Sequence, residues 1–136
     1  MTVFRILSES AGLSVEEAAQ FLRADEGAVR RWREGQNPPS GVLDEMFTLI
    51  DRQARAAHEA LRLIHARLAM HETLELIELG LSADDHQAQG LGWPTASAHA
   101  AVIRRVIESL PPGRRHLIRI VPRGSTLASA SAADSH

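Results

Sequence analysis

Arg30, Arg31 and Arg33 crowd one short segment of the chain, directly behind Asp25, Glu26 and Gly27. A guanidinium is a planar, permanently charged fork of N–H donors, and it matches two-acceptor targets such as a phosphate or the O6/N7 edge of guanine. A carboxylate such as Glu26 can accept from the amino group of cytosine, and a glycine lets a backbone come close to whatever is being read. In this order these residues suit recognition of a nucleic-acid surface better than catalysis. The simpler reading of the same arginines is a solvated helix face, paired locally with Glu26 or Glu34. The element that carries them decides between the two.

Elsewhere the chemistry-bearing residues form no comparable group. His58 and His65 stand seven apart, outside the adjacent-turn spacing that brings two imidazoles to one metal ion. Asp84-Asp85-His86 falls in a polar stretch and reads as solvated loop. No Gly-rich phosphate loop, Ser or Cys nucleophile motif or metal triad is present, so no catalytic residue, metal ligand or cofactor is expected and the chain does not read as an enzyme. The most basic stretch is Arg104-Arg105 with Arg114-Arg115-His116, Arg119 and Arg123. It reads first as a face balancing the acidic earlier part of the chain or a partner subunit. A second nucleic-acid contact, RNA included, is the alternative.

Composition sets the frame for these residues. The 136 residues are 44% hydrophobic, enough for one compact domain and an accessory element. Without cysteine, disulfides, thiolate zinc sites and thiol nucleophiles are excluded, which fits a reducing cytoplasmic setting. The opening Met1-Thr2-Val3-Phe4-Arg5 has no signal-peptide pattern, and no apolar run approaches membrane-spanning length. All 15 basic residues are arginine, which a GC-rich genome explains as readily as function does. The net charge of −2 argues against a protein that coats nucleic acid by bulk charge and leaves room for one that concentrates arginines locally.

Helix signals dominate the first half. Phe4, Leu7 and Ala11 recur at helical steps and Gly12 supplies the stop. Ser14-Val15-Glu16-Glu17 is a capping box that opens a second helix running to about Leu22, and Asp25 caps a third, Glu26 to Glu34, closed by Gly35. After a turn over residues 35–40, Leu43, Phe47, Ile50, Ala54, Ala57, Leu61, Ile64, Leu68 and His71 alternate steps of four and three, with neither Gly nor Pro between Val42 and His71. That 3.5 repeat predicts a helix of about thirty residues whose distal half pairs with another helix, most simply the same helix of a second copy, through Ala57, Leu61, Ile64 and Leu68. Further on, residues 73–79 lean to a strand, 82–92 to a loop, 94–110 to a helix stopped by Pro111-Pro112-Gly113, and 116–121 to a second strand. The Ser/Ala-rich tail, 124–136, reads as disordered.

Residues 15–34 fit a helix-turn-helix template. Small Ala18, Ala19 and Ala24 let two helices cross closely, and Leu22, Val29 and Trp32 meet the core. Trp32 is in phase with Val29, so it is expected to pack rather than to stack on a base. The other side of the third helix is left for solvent or for DNA, with Arg30 and Arg31 toward guanine or phosphate and Glu26 toward cytosine.

Ala11-Gly12-Leu13-Ser14-Val15-Glu16-Glu17-Ala18-Ala19, followed by Val29-Arg30-Arg31-Trp32-Arg33-Glu34-Gly35, resembles the Xre/Cro-type, lambda-repressor-like, DNA-binding domain. The stretch through Pro38-Pro39, Val42-Leu43 and the long helix, with Gly92-Trp93 before a last helix, is similar to the subgroup containing anti-CRISPR-associated autorepressors. The resemblance implies a bacterial or phage-encoded homodimeric repressor on an inverted repeat in a promoter, often its own. It places the recognition helix over Asp25 to Arg33 and dimerisation in the C-terminal part. Two positions depart from the pattern: Arg23 stands where such turns usually have Gly, and Val15 where many relatives carry a phosphate-binding Gln.

The expected architecture is mainly α: a helix-turn-helix bundle (1–53), a long connecting and dimerisation helix (54–71), a small α+β dimerisation or partner-binding region (72–123) and the tail (124–136). The DNA-contact candidates are Ser14, Asp25, Glu26, Gly27, Arg30, Arg31 and Arg33. Expected partners are double-stranded DNA and a second copy, without a membrane. The rival readings are an antitoxin-type protein whose C-terminal region covers a toxin, and an RNA-binding regulator using the Arg-rich C-terminal segment.

Overall fold

Three short helices open the chain, and each begins on a side chain that satisfies its first free amides. In the computed structural model, which describes residues 1–70 and 76–124, α1 is Val3–Ala11, α2 Val15–Leu22 and α3 Glu26–Glu34. The Thr2 hydroxyl accepts from the Arg5 amide, Ser14 and Glu17 close the reciprocal capping box, and the Asp25 carboxylate accepts from the Ala28 amide at 3.3 Å. Gly12 ends α1 in the left-handed region at φ 80°. Arg23 ends α2 at φ 55°, ψ 46°, and the Ala24 amide reaches back to the Ala19 carbonyl at 2.9 Å. The tight turn is therefore kept with an arginine in the glycine position.

The chain then enters α4, Ser40–Ala69, an unbroken helix of 30 residues. The chain divides into two units inside this helix, Met1–Arg52 and Gln53–His136. In the first unit Phe4, Ala11, Leu13, Ala18, Ala19, Val29, Trp32, Met46 and Leu49 are buried, and Phe4 meets Trp32 edge to face with ring centroids 5.5 Å apart. Trp32 is thus a core residue, as its phase indicated.

The second unit combines the distal part of α4 with β1 (Ile77–Leu81), α5 (Asp85–Gly90), α6 (Ala96–Ser109), a 3-10 turn (Pro112–Leu117) and β2 (Ile118–Pro122). The two strands pair in parallel with Ile77 opposite Ile118, and parallel neighbours need a crossover, which α5 and α6 provide. Residues 54–69 therefore belong to this unit's core and are not a separate connector. Ala56, Ala57, Ala60 and Ile64 are buried along with Ile77, Leu79, Trp93, Val102, Val106 and Leu110. Buried Gln53 donates to the Ala98 carbonyl at 3.0 Å and Arg105 donates to Gln53 Oε1 at 3.4 Å; buried His99 accepts from the Ser82 amide on Nδ1 at 3.2 Å.

Some elements differ from expectation. The segment 82–92 holds α5, because Asp84 accepts from the Gln87 amide and Gln87 Oε1 in turn accepts from the Ala83 amide. Asp85 takes the Ala96 amide at 2.8 Å, so the acidic pair caps two helices rather than merely meeting water. Helix α6 starts two residues later than Pro94 suggested, behind the Thr95 hydroxyl. Residues 116 and 117 finish the 3-10 turn before β2 begins. The early part of the expected first strand and all of the tail beyond Gly124 lie outside the described residues.

The buried line of α4 runs Met46, Leu49, Gln53, Ala56, Ala57, Ala60 and Ile64; it keeps Ala57 and Ile64 of the expected stripe but lies about one residue away from it in the first half of the helix. Phe47 and Ala54 are exposed, whereas Leu43, Ile50, Leu61 and Leu68 are half-buried; His71 lies outside the described residues. Both lines satisfy the same 3.5 spacing, and spacing alone cannot choose between adjacent faces. The small side chains at 56, 57 and 60 suit close packing against the rest of the second unit.

Candidate nucleic-acid interface

The α2–turn–α3 segment is held from beneath by Ala18, Ala19, Val29 and Trp32, and from α1 by two further contacts. Thr2 Oγ1 donates to the Trp32 carbonyl at 2.9 Å. Arg33 donates from Nη1 to the Ser8 hydroxyl at 3.1 Å and from Nη2 to Glu9 Oε1 at 3.4 Å. Its side chain is 19% exposed. Arg33 is therefore turned inward as a strut between α3 and α1, a correction to its place among the expected DNA contacts. Arg33 is adjacent to Trp32 on the helix and shares the inward-facing half.

The outward half of α3 carries Glu26, Gly27, Arg30, Arg31 and Glu34. Arg30 is 59% exposed and its Nη1 lies 3.8 Å from Glu26 Oε2, an exposed pair of small energetic weight that leaves both groups accessible. Arg31 is exposed as well. Asp25 and Ser14 are exposed but already serve as caps, so their acceptor atoms are engaged with Ala28 and Glu17 amides. The Ser14 hydroxyl still has its own hydrogen to donate, and with the main-chain amides at the start of α2 it can offer a polar contact in place of the missing glutamine. Sequence reasoning treated Arg23 only as an awkward turn residue. It is exposed, in the turn that leads from α2 into α3.

Glu9, on α1, is held below its ordinary value of 4.5, first by the hydrogen bond from Arg5 and further by the charges of Arg5 and Arg33. The chain from Arg5 through Glu9 to Arg33 keeps the α1–α3 contact charged.

Of the residues expected to pair two copies, Ala57 and Ile64 are 4% and 1% exposed within the second unit and present little surface. Leu61 is half-buried and, with Ala54, Ala57, His58, Arg105, Glu108 and Ser109, lines a cleft of about 290 Å³ between α4 and α6. Burial, followed by the nearby Arg104 charge, lowers the Arg105 pKa from its ordinary value.

The other C-terminal arginines are largely occupied by the fold. Arg115 donates to the Leu110 and Glu108 carbonyls, where cations favour a helix C-terminus, and Arg119 Nη1 donates to the His116 and Ile118 carbonyls. Arg104 lies 3.5 Å from Glu108. Among the described residues no three His, Asp or Glu side chains converge on a metal-sized site, and no helix is long and apolar enough to cross a membrane. Comparison with known proteins finds no family model and no characterised protein that matches the chain.

Proposed function

We propose that the chain is a sequence-specific DNA-binding transcriptional repressor that acts as a homodimer on an inverted-repeat operator, its own promoter being the first candidate. The observation that carries this reading is the α3 surface: a short, doubly capped helix, fixed by Val29, Trp32 and Arg33, presents Arg30 and Arg31 to solvent on its free side. Two such helices would enter successive major grooves about 34 Å apart, with their N-terminal halves at the base edges. Phosphates then supply affinity, and arginine with Glu26 supplies discrimination. Bound protein would exclude polymerase.

RNA recognition through the C-terminal arginines draws less support, because Arg115 and Arg119 commit part of their donors to backbone carbonyls. The test is fluorescence anisotropy at two salt concentrations, with the promoter duplex upstream of the gene, a scrambled duplex, and an Arg30→Ala, Arg31→Ala control. Tight, selective, arginine-dependent binding is expected. Equal weak binding to both duplexes would overturn the reading and favour a protein partner for the second unit.

A further inference from the structure

With about 3.6 residues per helical turn, Gly27 falls on the side of α3 opposite Val29 and Trp32, in the middle of the free face. Arg31 follows one turn later on one flank and Arg30 lies on the other. A glycine in the middle of an outward face should be open to water, yet Gly27 is only half-exposed. Two side chains cover it. A methyl group at its Cβ position would stand 2.9 Å from Asp25 Oδ2 and 3.4 Å from Arg31 Nη1.

Arg31 thus lies back along the helix toward its first turn, the direction in which long helical side chains naturally run. A methyl group at 27 would press first on the Asp25 carboxylate and only touch the guanidinium, whereas a longer side chain would compete with the guanidinium for the same space. Arg30 is drawn instead toward Glu26 on the opposite flank. The two exposed arginines are therefore placed differently, although their sequence context is almost the same.

We propose that Gly27 is a specificity-determining position. Its missing side chain leaves room beside the Asp25 carboxylate for the Arg31 guanidinium to lie over the N-terminal half of α3, where it addresses the O6/N7 edge of one guanine. Gly27 is a positioning residue and Arg31 is the base reader; Arg30 and Glu26 occupy the other edge. This rests on the DNA-binding reading above. The energetic logic is that a bidentate guanine contact discriminates only when both of its bonds are made, so a side chain at 27 that displaces the fork removes the discrimination.

The experiment is selection from a duplex pool with a randomised central stretch, using the full-length protein and the variants Gly27→Leu, Gly27→Ala and Arg31→Ala, with anisotropy on the selected duplex and on one of mixed sequence. Leucine and alanine are both better helix formers than glycine, and circular dichroism verifies folding. Wild type should select a site containing a fixed guanine. Arg31→Ala should lose preference at that base pair by roughly 5- to 100-fold. Gly27→Leu should lose it at the same base pair although Arg31 is present, Gly27→Ala should fall between, and mixed-sequence binding should hold within about twofold.

Combining Gly27→Leu with Arg31→Ala should add nothing to Arg31→Ala alone, the signature of two residues acting as one unit. Retention of that base preference by both Gly27 variants would overturn the positioning role of Gly27 and leave DNA recognition standing. Failure of the wild type to enrich any sequence would overturn the DNA-binding reading itself.

Discussion

Arg33 on α3 donates to the Ser8 hydroxyl of α1 at 3.1 Å, so the last arginine of the cluster faces inward. Replacing it should act on stability and not on recognition. Arg33→Ala is expected to lower unfolding free energy by about 1–2 kcal/mol in chemical denaturation. Unchanged stability together with lost base preference would return Arg33 to the DNA-facing set.

Arg30→Ala and Arg31→Ala should leave helicity intact, since both side chains are exposed. A base contact would cost about 1–3 kcal/mol in binding, and a phosphate contact would lower the salt slope by about one unit. Titrations of each variant across a salt series separate the two roles. Equal affinity to wild type for both variants would remove α3 from the interface.

Arg23 holds a left-handed conformation at φ 55° without being glycine. Arg23→Gly relieves roughly 1 kcal/mol of steric cost but loses part of this gain to the greater freedom of the unfolded chain. The expected outcome is a small increase in thermal midpoint, with weaker DNA binding if the exposed guanidinium contributes. A fall in midpoint would show that Arg23 has a structural contact outweighing its strain.

The Glu9 carboxyl titrates lower in the folded chain than its ordinary 4.5 because Arg5 donates to it. The stabilisation is therefore present above that ordinary value and is lost as pH falls through the lower folded one. Melting curves across the acid range should show a shallower decline for Glu9→Gln than for wild type. Parallel declines would mean that other carboxylates control acid unfolding.

Leu61→Glu places a charge in the cleft between α4 and α6 without filling the core, whereas Ile64→Glu would bury one. If two copies meet at this cleft, Leu61→Glu should halve the mass seen by light scattering while the circular dichroism spectrum persists. An unchanged mass would move the contact elsewhere.

Local chemistry made the first unit readable. Thr/Ser/Asp caps, Gly12 and Gly35 fix where short helices start and stop, so α3 is found at its expected bounds. The long helix was equally legible in extent, but its buried face was not, because Met46 and Leu49 are spaced as regularly as Phe47 and Ile50. Helix α5 escaped notice because it depends on Asp84, Gln87 and Asp85 acting reciprocally and offers a single buried apolar residue, Ala88. In the site, residue type indicated arginines, but geometry alone distinguishes Arg33 facing Ser8 from Arg31 over Gly27.

The outer margin of β2 is blunted at its two ends: Arg119 covers the Ile118 carbonyl, the Ile118 amide is taken by the Arg115 carbonyl, and Pro122 has no amide hydrogen to offer. Two-stranded sheets are ordinarily templates for further strands, and this one is blunted on its β2 side. Strand-to-strand accretion is disfavoured even though Ile120 remains half in water. At high concentration this strand is therefore a poor seed for fibrils.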